Sequence, residues 1–247
     1  SHTSLSTGFR NPNIDDATKI REKNGILLIP NNDINPEYIY SFDQSISISP
    51  FEQKSKLNIT FAGFISLWAD AIVPFATTYD GNSTIEFNGE LVSVYRNENL
   101  ENSIILGGRC EIQSQLTDDI SFSGTTNYTK GKTILGGSPL SHIPPIFGRV
   151  GLLKKNKGWS VESYVLFNGE KDIALYGDAS TDNLAEALDG VGTPAWWTLN
   201  LETTYDISES LRLQAGVQNI LDVHYKPFAS GISAPGRGVY VTVNTNF

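Results

Sequence analysis

The feature that most constrains this chain is a strict alternation of apolar and polar residues. It runs through the segments 38–48, 120–129, 197–206, 211–218 and 239–247, and the charged residues of these segments fall only on the polar side. Successive side chains of a β-strand point to opposite faces, whereas an amphipathic helix repeats every 3.6 residues. The sequence therefore predicts strands with one apolar and one polar face.

The connections between strands are the second constraint. We predict ten strands, near 1–9, 37–49, 55–69, 100–116, 120–130, 146–155, 158–168, 195–206, 210–220 and 237–247. Short turns at 50–54, 117–119, 156–157 and 207–209 alternate with long loops at 10–36, 70–99, 131–145, 169–194 and 221–236. Outer-membrane barrels show this asymmetry, with short periplasmic turns and long outer loops. The fold class predicted is all-β, an antiparallel up-and-down meander of about ten strands.

Composition excludes several other classes. Hydrophobic residues make up 39% of the 247-residue chain, but no run approaches the roughly 18 apolar residues of a membrane-spanning helix. Any membrane crossing must therefore use a β-barrel. The net charge of −9 argues against a nucleic-acid partner, which needs clustered cations. Cys110 is the single cysteine, so no intrachain disulfide can form.

Placing the short turns in the periplasm fixes the direction and the faces of every strand. Aromatic residues then gather in two bands on the apolar face, as expected at lipid headgroup level. The periplasmic band contains Phe122, Trp159, Tyr205 and Phe247, and the outer band contains Tyr38, Tyr128, Phe167 and Trp197. We expect lipid contact from Leu199, Leu201, Leu213, Val241 and Val243, and a lumenal position for Asn200, Glu202, Arg212, Gln214 and Asn244.

Three motifs occur in a fixed order along the chain. Residues 6–16 contain Gly8-Phe9-Arg10-Asn11-Pro12, and residues 29–38 contain Asn35-Pro36-Glu37. Residues 213–225 contain Gly216-Val217-Gln218-Asn219-Ile220-Leu221-Asp222, followed by His224-Tyr225. In this order the motifs resemble the C-terminal part of TonB-dependent outer-membrane receptors, with Asn11 in place of the usual alanine.

The resemblance implies an architecture and a function. Receptors of this family are barrels of 22 strands with a plugged lumen, and residues 1–247 resemble the last ten strands without the plug domain. The implied function is energy-coupled uptake of a scarce nutrient such as a siderophore, haem or cobalamin. The implied partners are outer-membrane lipid, TonB acting through the plug domain, the outer-membrane assembly machinery and a small nutrient ligand.

The resemblance also indicates candidate site residues. The outer-loop candidates for ligand contact are Arg10, His142, His224 and Tyr225. The last strand resembles the assembly signal of outer-membrane barrels, carried by Val239, Val241, Val243 and Phe247. Haem receptors of the family are expected to carry a histidine between the first two motifs, and residues 13–30 contain none. This absence weighs against haem.

No pattern in the chain predicts catalysis, a metal site or a cofactor. Asp118 and Asp119 occupy a predicted tight turn, where aspartate is favoured by local hydrogen bonds. Asp80-Gly81-Asn82 does not match the spacing of a calcium loop. We therefore predict a protein that is not an enzyme. Two alternatives stay open, a passive porin-like or adhesin-like barrel and a soluble carbohydrate-binding β-sandwich.

The ends of the chain and one loop carry further expectations. The chain begins without a signal peptide, so we expect either that a leader was removed or that the sequence is a piece of a longer protein. Ten strands cut from a wider barrel leave two free edges, at 1–9 and 238–247, and we expect an open sheet. A short helical turn is expected near 181–188.

Overall fold

The computed structural model describes residues 1–23, 25–50, 56–177 and 191–245. Ten strands form the main path of the sheet: β1 His2–Arg10, β4 Glu37–Ile48, β5 Lys56–Ala76, β7 Glu90–Gln115, β8 Ile120–Thr133, β9 Phe147–Asn156, β10 Trp159–Asn168, β13 Trp196–Ser208, β14 Leu211–Gln218 and β15 Gly238–Thr245. Short elements lie between them: β2 Arg21–Lys23, β3 Ile26–Ile29, β6 Thr84–Phe87, β11 Lys171–Asp172, β12 Gly192–Thr193, a helix α1 Ile14–Thr18 and a 3-10 turn Ile173–Leu175.

Each strand of the main path pairs antiparallel with the next strand of the path, in the order β1-β4-β5-β7-β8-β9-β10-β13-β14-β15. The predicted all-β antiparallel meander is therefore confirmed. One pair departs from it, because β3 runs parallel to β7. The predicted turn at 50–54 and the predicted helical turn at 181–188 fall largely or wholly outside the described residues.

The strand register places the two predicted sets of side chains on opposite faces. Leu201 lies opposite Val217, and Leu213 lies opposite both Tyr205 and Val243, so these side chains share one face. Glu202 lies opposite Gly216, which itself lies opposite Tyr240 on the other face. The apolar face is open, and Val241 and Val243 are 65% and 61% exposed. A soluble sandwich needs a second large sheet, and the only second sheet in the described part is the two-stranded pair β11–β12.

Most of the two segments predicted as loops at 10–36 and 70–99 forms a folded unit above the sheet that we call the outer lobe. β5 continues to Ala76, and β7 begins at Glu90, so one long hairpin extends beyond the barrel wall. Strands β3 and β6 pair with β7 there. The lobe has its own small core, made of Leu27, Leu28, Ala71, Val92 and Val94. The loop prediction was wrong because these strands are formed by pairing between segments far apart in the sequence, such as 26–29 with 93–96.

Side-chain amides attach the outer lobe to its own hairpin. Asn97 donates to the carbonyl of Asp16 (2.9 Å), and its own carbonyl accepts from Asn31 (2.8 Å). Asn99 donates to the carbonyls of Asn35 and Asp70. These bonds satisfy backbone groups that a loop over a β-hairpin would otherwise leave without partners. The lobe is thus held as a fixed body on β5 and β7.

Helix is scarce in the structure. The helix α1 has a capping box, in which Asn13 accepts from the Asp16 amide and Asp16 accepts from the Asn13 amide (both 2.9 Å). Within the described ranges, no helix has the length and apolar character needed to cross a membrane.

The sheet is open at both ends. Its path begins at β1 and ends at β15, and the described residues of these two strands do not pair with each other. The expectation of an open arrangement is therefore confirmed for residues 2–10 and 238–245. Free strand edges in lipid are costly, so both edges suit further strands of a wider barrel.

Candidate functional site

The polar face of β9, β10, β13, β14 and β15 carries two adjacent groups of bonded side chains that we together call the inner-wall network. Its members are Arg149, Glu162, Tyr164, Glu202, Gln214 and Tyr240. Arg149 forms an ion pair with Glu162 (2.6 Å) and lies 4.2 Å from the centre of the Tyr164 ring. Glu202 accepts hydrogen bonds from Gln214 (2.9 Å) and from the Tyr240 hydroxyl (2.7 Å).

Of the two glutamates of this network, one has an ion-pair partner in the described part of the chain and the other does not. Glu162 is neutralised by Arg149, whereas Glu202 is held by two neutral donors. Within the described residues, no cation forms an ion pair with Glu202. Its carboxylate therefore accepts two hydrogen bonds on the polar face without an ion-pair partner among the residues described there. The polar face thus presents Glu202 in one fixed position.

The third sequence motif, residues 213–225, contains Asn219, which lies at the outer end of the same wall. Asn219 has a left-handed backbone (φ 50°) and its amide donates to the Asn200 side chain (2.9 Å). Its own side chain accepts from the Val223 amide and donates to the Val223 carbonyl, both at 2.9 Å. Asn219 thus ends β14 and starts the last outer loop in one fixed conformation.

Three outer loops meet at the side chain of Lys171. The ammonium group donates to the carbonyl of Ile143 and lies 4.3 Å from the Phe228 ring centre and 5.4 Å from that of Tyr176. Lys171 is only 5% exposed. Tyr176 also packs edge-on against Phe228 and shares a hydrogen bond with Thr193. We call this group, Lys171, Tyr176, Thr193 and Phe228, the loop cluster.

Two glycines allow the loops to approach so closely. A Cβ atom at Gly177 would collide with Ser141, which lies in the loop before β9. Gly192 has a φ of 101°, a conformation disfavoured for other residues, and a Cβ there would collide with the Lys171 carbonyl. Close backbone packing therefore joins the same loops that Lys171 bridges.

The structure separates Arg10 from the other three predicted ligand-contact residues. Arg10 lies at the outer end of the edge strand β1 and forms ion pairs with Asp16 (2.5 Å) and Glu37 (2.6 Å). Tyr225 stacks on Trp196, with ring centres 4.0 Å apart. The side chains of Arg10 and Tyr225 therefore both make contacts within the fold.

The two histidines lie on loops that the loop cluster joins. His142 precedes Ile143, the residue whose carbonyl accepts from Lys171, and its backbone is left-handed (φ 61°). His224 lies in the loop that also carries Phe228, and its ring is hydrogen-bonded to Ser233 (3.1 Å). The loops of His142 and His224 thus belong to one surface, while Arg10 lies at the opposite edge of the sheet.

The predicted assembly signal lies on the last strand. Val239, Val241 and Val243 all point to the apolar face, opposite Val217, Ala215 and Leu213 respectively. Phe247 lies outside the described residues. Whether these residues are read during assembly stays a prediction.

Sequence reasoning missed Lys171 and the role of Tyr240. Lys171 stands between Glu170 and Asp172 in a polar loop, where a solvated side chain is the ordinary expectation. Nothing in the sequence indicates its burial. Tyr240 occupies a predicted inward position, but its bond to Glu202 depends on the register of three strands. Within the described ranges, no group of three His, Cys, Asp or Glu side chains could hold a metal ion.

The profile of a family described as "TonB dependent receptor-like, beta-barrel" matches residues 2–220. No curated protein matches the sequence.

Solved structures with a similar fold include three transport proteins. They are the copper transporter OprC (TM-score 0.74, 20% identity), the siderophore receptor PirA from Acinetobacter baumannii (0.73, 17%) and a G324V mutant of the ferric enterobactin receptor PfeA from Pseudomonas aeruginosa (0.72, 18%). Each match covers 99% of this chain, which spans 36% of OprC and 38% of the other two proteins. At these identities the similarity establishes the fold.

Proposed function

The chain belongs to the TonB-dependent receptor β-barrel family, and we propose that it forms the C-terminal wall of a receptor for energy-coupled uptake of a scarce nutrient. Barrels of this family are outer-membrane proteins, and the family's members are transporters. The predictions of an outer-membrane location and of a protein that is not an enzyme are confirmed by this membership.

The two faces of the sheet are the observation that carries the proposal. The outward side chains are apolar and exposed, as a lipid-contacting wall requires, and the inward ones form a hydrogen-bonded network. A passive pore needs only a polar lining in contact with water. The inner-wall network instead fixes side chains such as Glu202 and Tyr240 in defined positions, which suits contact with a folded plug and a ligand.

A ferric siderophore is the ligand class that we propose first. Siderophore receptors are among the solved structures with the same fold. Haem is less favoured because residues 13–30 carry no histidine, and cobalamin has no particular support from the chain. The loop surface that carries His142 and His224 would contact the ligand from outside. A plug domain elsewhere in the protein would occupy the lumen and transmit the action of TonB.

The test is uptake by cells that express the full-length receptor. Cells lacking the gene are complemented with it and supplied with radiolabelled iron bound to a panel of siderophores. The proposal predicts accumulation of at least one complex, and it predicts loss of that accumulation when TonB is deleted. Accumulation that persists without TonB would identify a passive barrel, and binding without accumulation would identify an adhesin-like one.

A further inference from the structure

Charged side chains are almost absent from the apolar face of the sheet. Along the described paired positions, from the periplasmic turns to the base of the outer lobe, the register places only three charged residues there. They are Lys130, Lys132 and Lys154. All three are cations, although the chain as a whole carries a net charge of −9. This bias indicates that the apolar face contacts anionic groups near the ends of the wall.

Two of the three lysines stand together at the outer end. Lys130 and Lys132 are the next two positions on the apolar face of β8 after Tyr128, which belongs to the outer aromatic band. Two residues along a strand separate their Cα atoms by about 7 Å. Lys154 lies at the other end of the wall, where it forms an ion pair with Asp119 in a periplasmic turn (3.7 Å).

The outer pair has no carboxylate of its own. Both lysines are exposed, and neither forms an ion pair with another residue in the described part of the chain. Their neighbours on this face are apolar: Leu106 lies opposite Lys130, and Ile104 lies opposite Lys132. Ile134 and Leu135, which follow β8, are 52% and 81% exposed. The surface thus combines two unneutralised cations with exposed aliphatic groups.

We infer that Lys130 and Lys132 bind the phosphate-bearing headgroup of an anionic lipid of the outer leaflet, with its acyl chains running toward the bilayer midplane along the exposed face past Tyr128. Lysine stems cross apolar surface while their ammonium groups reach the headgroup layer. The site faces away from the lumen, so the transported nutrient does not reach it. This inference rests on the orientation in the proposed function, with the short turns in the periplasm.

The test measures lipid binding by the full-length receptor, purified in detergent and freed of lipid. Lipopolysaccharide carrying its phosphates is titrated against the wild type and against Lys130→Gln/Lys132→Gln. Attraction to an anionic surface contributes enough per lysine that the double variant should bind about 30-fold more weakly. Lys130→Arg/Lys132→Arg should retain binding. The matched control, Lys154→Gln, removes a cation from the same face at the opposite end and should leave binding unchanged.

A second arm uses the wild type alone, so it does not depend on how the variants fold. Enzymatically dephosphorylated lipopolysaccharide should bind the wild type as weakly as the phosphorylated lipid binds the double glutamine variant. Equal binding of the phosphorylated and dephosphorylated lipids would overturn the inference, as would an equal loss in Lys154→Gln. Siderophore uptake is measured separately, so a receptor that binds the lipid but transports nothing refutes only the proposed uptake.

Discussion

Substituting arginine on either face of the wall tests which face meets lipid. Leu201 lies near the middle of β13 on the apolar face and is 40% exposed. An arginine on the lipid face near the bilayer midplane costs about 2 to 4 kcal/mol, or roughly a 30- to 1,000-fold change in the folding equilibrium. Leu201→Arg should therefore strongly destabilise the receptor.

The matched control is Gln214→Arg, on the polar face of the adjoining strand. Gln214 already donates to Glu202 (2.9 Å), and an arginine there can donate to the same carboxylate with a charge-assisted bond. Asn200 is less suitable as a control, because it is 3% exposed and is bonded to Thr198 and Asn219.

The assay is urea unfolding of the full-length receptor in lipid vesicles, read by tryptophan fluorescence. The account predicts a loss of about 2 to 4 kcal/mol for Leu201→Arg and a change below about 1 kcal/mol for Gln214→Arg. Equal losses in the two variants, or a larger loss in Gln214→Arg, would refute the assignment of the faces.

Three further predictions concern single interactions. Tyr240→Phe removes a hydrogen bond to the Glu202 carboxylate and should cost about 1.5 to 3 kcal/mol in the same unfolding assay. Lys171→Met removes the link among three outer loops and should raise the rate of chymotrypsin cleavage in those loops, after residues such as Tyr176 and Phe228, several-fold, with the barrel intact by heat-modified gel mobility. The pKa of Asp119, in a periplasmic turn, is lowered by a hydrogen bond from Thr117 and by the charge of Lys154. Because the folded pKa lies below the unfolded one, about 4, this stabilisation is present at neutral pH and disappears as pH falls through the lowered value. Thr117→Val also loses the hydrogen bond that the Ile120 amide donates to the Thr117 hydroxyl (3.1 Å), which does not depend on pH. The loss of stability in Thr117→Val should therefore be larger at neutral pH than at acidic pH.

The sequence predicted the wall of the barrel well because a wall strand is a local pattern. Alternation in 197–206 and 211–218 determines which side chains share a face. A register shifted by one residue would move every apolar side chain to the polar face, so the same pattern also constrains the register. The aromatic bands follow for the same reason, and Trp159 is indeed paired with Tyr205 and Phe167 with Trp197.

The outer lobe and the loop cluster were not predictable in the same way. Val92 and Val94 point to one side of β7, but Leu27, which lies opposite Val94, comes from a segment more than sixty residues earlier. The burial of Lys171 depends on Ile143 and Phe228, which come from two other loops. Such contacts between distant segments leave no periodic trace in one sequence. The ion pair of Arg10 with Asp16 likewise depends on how α1 folds back on β1, whereas Glu37 lies directly opposite Arg10 on β4.

The central claim is that one face of this sheet contacts lipid and the other lines the lumen of an outer-membrane barrel. Spin labels placed singly at residues 197–206 of the full-length receptor in vesicles test it most directly, through their accessibility to oxygen and to a polar nickel complex. The account predicts alternation with a period of two, with high oxygen accessibility at the odd positions, including Leu199 and Leu201, and low oxygen accessibility at the even ones, including Asn200 and Glu202. Uniform accessibility along the strand, or high oxygen accessibility at the even positions, would contradict it.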